Sequence, residues 1–146
     1  MINIKELNIG NYLSVAKEGL CIKKGTIIKI NGIDAENKFM EKGLVGVISC
    51  HPLDKYQFDG GIWLAYLEPI PITPAILKKN GWERRYNRAI LKFENKIIVL
   101  GFYESGTQLT IKRAIDDLTI LNVKISGFHQ LQNALTLCGI NKNIEL

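Results

Sequence analysis

No stretch of the 146-residue chain approaches the ~20 consecutive apolar residues that a membrane-spanning helix requires, which excludes a spanning role. The opening Met1-Ile2-Asn3-Ile4-Lys5-Glu6 has no apolar core segment, so a signal peptide is not expected. Cysteine is scarce. Cys21, Cys50 and Cys138 are odd in number and far apart, which fits a reducing, cytoplasmic setting better than a disulfide scaffold. There is no Walker-type phosphate loop and no GxGxxG; Gly60-Gly61 and Gly43 with Gly46 match neither pattern. No CxxC or HxxxH spacing exists, and three cysteines with two histidines leave little from which to build a metal site. Cys50 and His51 are adjacent and would point to opposite faces of an extended chain, which is wrong for a nucleophile and its base. The carboxylates are scattered; Asp116-Asp117 suit a loop and Glu104 a hairpin tip. The expectation is a protein without enzymatic activity, cofactor or metal.

What is present is a foldable composition, 47% hydrophobic and 23% charged, at a length that supports a real core. The charge is uneven. Residues 1–72 carry eight basic and eight acidic side chains, whereas residues 73–146 carry eleven and six, the whole net charge of +5. Within that half, Lys78, Lys79, Arg84, Arg85, Arg88, Lys92 and Lys96 face only Glu83 and Glu94, and Trp82 and Tyr86 lie among the cations. Guanidinium forks grip phosphates and flat rings stack on bases. The plain alternative is a solvated strand and turn whose charge keeps the protein soluble.

The expected class is α+β, mostly β. Residues 1–72 read as short strands between turns. Leu13 and Val15 share one face, Ile28 and Ile30 another, and Asn31-Gly32 signals a turn. Leu44–Ile48 follows, with Gly43 and Gly46 fit for a bend or bulge, and Ile62–Leu67 is apolar on both faces. Such strands suggest a small SH3-like barrel. Glu68-Pro69-Ile70-Pro71-Ile72 can only be an extended connector, because two prolines remove ladder donors. Residues 73–146 begin with a short helix, capped by Thr73 with Pro74 in its first turn and stopped by Asn80-Gly81. An antiparallel meander follows: Arg88–Phe93, a tight Glu94-Asn95 turn, Lys96–Tyr103, Thr107–Arg113 and Leu118–Ile125. A phase slip at Ile120-Leu121 suggests a bulge. A final helix aligns Phe128, Leu131, Leu135 and Cys138 on one face, with Ser126 as its cap and Gly139 as its stop. His129 near its start is expected either to join a ligand-binding edge or to lock the helix onto the meander.

The run Gly127-Phe128-His129-Gln130-Leu131-Gln132-Asn133 resembles a group of small uncharacterised proteins carried by phages, prophages and mobile elements of Bacteroidota. The likeness extends through Leu7-Asn8-Ile9-Gly10-Asn11-Tyr12, Ile30-Asn31-Gly32-Ile33, Pro69-Ile70-Pro71-Ile72-Thr73 and Gly81-Trp82-Glu83, in the same order over most of the chain. After Asn133 this chain departs from the group's aromatic helix and acidic tail. The resemblance implies origin in a mobile element and no particular chemistry.

Two functions are expected from the residues. The first is an anion-binding module in which Lys78, Lys79, Arg84, Arg85, Arg88, Arg113 and His129 hold a nucleotide signal of the host or a nucleic acid, and Trp82 or Tyr86 stacks a base. Capture of a host nucleotide signal would serve evasion of host defence and would suit a homo-oligomer. The second is a protein-interaction module, a virion component or an inhibitor of a host protein, in which Tyr12, Tyr56, Phe58 and Trp63 line a groove.

Overall fold

The computed structural model describes residues 2–17, 22–34, 44–49, 59–142 and 144–146. Among these residues the chain is mostly β, with two α-helices and two five-stranded antiparallel sheets. It divides into two compact units, Met1–Ile70 and Pro71–Leu146.

In the first unit the strands are β1 (Tyr12–Val15), β2 (Ile27–Asp34), β3 (Leu44–Ser49), β4 (Asp59–Trp63) and β5 (Leu67–Glu68), in the sheet order β4-β3-β2-β1-β5. Strict alternation buries Leu13, Val15, Ile28 and Ile30 and leaves Lys29 outside. These join Ile2, Leu7, Ile22, Ile62, Leu64 and Leu67 in one core. Three expectations are corrected. Asn31-Gly32 is no turn: β2 runs through it, and the ladder shifts register between Ile30 and Gly32. The missing side chain of Gly32 allows the irregularity without ending the strand. Ile62–Leu67 is not one strand; Leu64–Tyr66 form a 3₁₀ turn that carries the chain from the β3 side to the opposite edge, where β5 pairs with β1. The barrel does not close, for no ladder joins β4 to β5 among the described residues. Cys21, Cys50, His51, Tyr56 and Phe58, like Gly43, lie outside the described residues.

The second unit opens with α1 (Pro74–Lys79) and continues through β6 (Glu83–Arg85), β7 (Arg88–Phe93), β8 (Lys96–Tyr103), β9 (Gly106–Arg113) and β10 (Thr119–Ile125) to α2 (Phe128–Leu137). The meander is in sequence order, β10-β9-β8-β7-β6, and the expected bulge falls between Thr119 and Leu121. Thr73 caps α1, its Oγ1 accepting the Ile76 amide at 3.3 Å. The cap of α2 is Gly127, not Ser126. Ser126 instead donates its backbone N–H and its hydroxyl to Gln130 Oε1, at 2.6 and 3.1 Å, so the glutamine reaches back to hold the approach to the helix.

Both helices end in the same way. Trp82 N–H donates to Leu77 O and Gly81 N–H to Lys78 O; Ile140 N–H donates to Leu135 O and Gly139 N–H to Thr136 O. These are Schellman motifs, and Gly81 (φ 77°) and Gly139 (φ 67°) supply the left-handed residue each needs. The motif brings the residue after the glycine against the last helical turn, and Trp82, Leu77, Ile140 and Leu135 are all buried. On the sheet, Ala89, Leu91, Ile98, Leu100, Leu109 and Ile111 share one buried face. Phe128, Leu131 and Leu135 of α2 are equally sealed, and Cys138 at its end lies close enough to Lys96, on the same side of the sheet, to feel its charge. Each of the buried leucine, isoleucine and phenylalanine side chains contributes roughly 1.5–3 kcal/mol by leaving water.

Candidate functional site

The seven cations of residues 78–96 do not gather on one surface. Lys79 is committed to the end of the chain: its Nζ bonds Leu146 O and lies 3.8 Å from a Glu145 carboxylate oxygen. Asn80, 6% exposed, completes this anchor. Its amide donates to Glu145 O and Ile76 O, its Oδ1 accepts the Glu145 amide at 2.8 Å, and Lys142 Nζ donates to its backbone carbonyl at 2.7 Å. Lys78 is exposed on α1 and takes no place in the sheet register.

The sheet register sorts the remainder. Arg85 pairs with Arg88, Arg84 with Ala89 and Glu83 with Ile90. Partners in an antiparallel ladder point to the same side. Arg84 is therefore on the side of the buried face, at its rim, while Arg85, Arg88 and Lys92 project from the opposite, open face. Lys96 pairs with Phe93 and Arg113 and shares the side of the buried face. Arg113 is occupied: its guanidinium donates to both carboxylate oxygens of Asp116, a contact that raises the arginine pKa and holds the Asp116 carboxyl below its usual range. On the open face Arg85 pairs with Glu83 at 3.0 Å. Arg88 and Lys92 are exposed and make no ion pair among the described residues.

The two rings separate as well. Trp82 cannot stack on a ligand, because it is 5% exposed as the buried residue of the α1 stop. Tyr86 is 99% exposed. It occupies the first position of the two-residue turn between β6 and β7, where its φ is 51°. Left-handed backbone suits glycine or asparagine and costs a tyrosine roughly 1–2 kcal/mol. A ring held fully in water at a strained turn, between arginines, gains nothing from packing. His129 is 1% exposed and offers no edge to a ligand, which leaves it the packing role at the start of α2.

The open face holds residues that strand-by-strand reading did not join to the site. Across the sheet from Arg85 and Arg88 the register continues to Gly101, Gln108 and Lys124. Lys124 is exposed and unpaired among the described residues. Tyr103 lies on the same side, its ring folded over Gly101: a Cβ there would sit 2.5 Å from Tyr103 Cε2. Lys112 also faces this side, paired with Asp117 at 2.9 Å. In the first unit, Tyr12 is half-buried beneath Lys29, whose Nζ is 5.7 Å from the ring centroid, and Trp63 is partly buried.

Among the described residues no group of three or more His, Cys, Asp or Glu is placed to hold a metal, and no helix is long and apolar enough to cross a membrane. The chain matches no family model, no curated protein and no solved structure.

Proposed function

We propose that this chain is a non-enzymatic anion-binding protein, a mobile-element accessory factor by its resemblance, that holds a nucleotide or nucleic acid at the β6–β7 hairpin. The observation that carries the reading is Tyr86, wholly exposed in a strained turn conformation between Arg84, Arg85 and Arg88. Arginine supplies the phosphate grip and the ring a stacking surface. Lys79, Trp82 and His129 leave the proposed site, because each is tied to residues 145–146 or buried, and Arg113 leaves it because it projects from the other side of the sheet. In the same reading the first unit is SH3-like, supported by its β5-β1-β2-β3-β4 order and the 3₁₀ turn before β5. The test is titration with short oligonucleotides and cyclic dinucleotides over a salt series. Salt-sensitive binding of one class, weakened by Arg88→Ala and Tyr86→Ala, is the expected result; no binding of either class removes the reading.

A second reading, a protein-interaction module, draws on a different observation. Ile120 and Val123, 45% and 37% exposed, stand on β10, the edge strand of the second sheet, and Ile115 and Leu118, 88% and 55% exposed, stand in the β9–β10 turn that leads into it. Exposed apolar side chains on one strand and the turn that leads into it suit an apolar partner surface. That reading predicts a stoichiometric protein partner that survives nuclease treatment and is lost on Ile120→Lys.

A further inference from the structure

We propose that the open face of the second sheet is a track for single-stranded nucleic acid, running from the β6–β7 hairpin to Lys124. The inference rests on the anion-binding reading above and names its ligand class. The track is the cross-strand row Arg85, Arg88, Gly101, Gln108 and Lys124, whose members share one side of the sheet. Neighbouring strands are about 4.8 Å apart, so the row spans ~19 Å. Cations stand at both ends: Arg85 and Arg88 at one edge, Lys124 at the other. The middle is different in kind. Gly101 has no side chain, and the Tyr103 ring occupies the vacant place, its Oη 2.7 Å and Cζ 2.8 Å from where a Cβ would stand. The ring thus lies against the backbone, 48% exposed. Beside it, Asn122 Oδ1 accepts from Gln108 and Thr110, a hydrogen-bonded polar group within reach of base edges.

This arrangement discriminates among phosphate ligands. A mononucleotide cannot reach both charged ends. A duplex keeps its bases stacked inside, where a ring flat on a sheet does not meet them. A single strand presents phosphates at intervals and unstacked bases between them, matching cation, ring, amide, cation. The Glu83 carboxylate beside Arg85 is exposed and yields to a phosphate at little cost.

The test is fluorescence anisotropy of the full chain with a labelled oligothymidylate, against the same length of duplex. Tyr103→Ala and Lys124→Ala are each expected to weaken single-strand binding about tenfold. Lys124→Ala also lowers the salt slope by about 0.7, whereas Tyr103→Ala leaves it unchanged. Gly101→Ala displaces the ring without altering any charge and should reproduce Tyr103→Ala; circular dichroism and thermal melts verify that each variant is folded. Wild-type affinity in folded Tyr103→Ala and Lys124→Ala, with binding still lost in Arg88→Ala, overturns the track and leaves the hairpin site standing. Duplex bound as tightly as single strand also overturns it. No binding of any oligonucleotide or cyclic dinucleotide by the wild-type chain removes both readings.

Discussion

Tyr86 shows how a single side chain can be placed against its own interest in folding. Its φ of 51° and 99% exposure give the ring strain and no packing. Tyr86→Asn is expected to raise unfolding free energy by about 1 kcal/mol, since asparagine tolerates the left-handed region, while weakening ligand binding. Urea denaturation and anisotropy on the same sample check both signs. Cys138 is a second residue with a legible chemistry. Burial pushes its thiol up, with Lys96 opposing weakly. The thiolate is the reactive form, so alkylation should be slower than for a free cysteine near pH 8 and should rise only above the ordinary thiol range. Peptide-resolved mass spectrometry after iodoacetamide reads this directly. The raised value also means that the neutral thiol stabilises the fold at neutral pH, and this contribution fades as pH rises through the shifted value.

Elements were readable where their signals are local. The alternation in β1, the Thr73-Pro74 start of α1, the tight turn at Glu94-Asn95 and the bulge near Ile120 all follow from neighbouring residues, and all are present. The expectation of a free Trp82 ring fails because the consequence of Asn80-Gly81 extends one residue past the glycine. The short β6 was hidden by its uniformly charged Glu83-Arg84-Arg85, which carries no hydrophobic period at all. Without β6 the pairing of Arg85 with Arg88, and the opposite side taken by Arg84, could not be deduced. Asn80 is more than the helix stop that its sequence position predicts, since its amide holds residue 145 by two hydrogen bonds as a neighbouring strand would. Asn80→Ala leaves those part-buried backbone groups without this partner and should cost about 1 kcal/mol, measured by thermal and urea unfolding. Asn80→Asp, which keeps the acceptor and loses the donor, should fall in between.

At the scale of the molecule the charge balance is a division of labour. The first half is neutral and the second holds the whole +5. Affinity for an anion should therefore depend on the second unit alone. Replacing the exposed Lys23 and Lys24 together by alanine lowers net charge by two, yet should leave oligonucleotide affinity and its salt slope unchanged within error. A general electrostatic attraction would instead weaken both, so the double variant separates a site from a background. Composition could reveal that segregation, but not which cations meet across strands. That depends on pairings such as Arg88 with Gly101 and Gln108 with Lys124, between residues distant in the chain.

The paired helix stops carry a last consequence, for how the gene can vary. Each glycine delivers the following side chain, Trp82 or Ile140, to one fixed bearing about the helix axis. One codon gained or lost inside either helix would rotate that bearing by about 100° and swing the side chain out into water. Length changes should be tolerated in the surface turn at Glu104-Ser105 and rejected within α1 and α2, a contrast that an insertion-scanning library scored for soluble expression would expose.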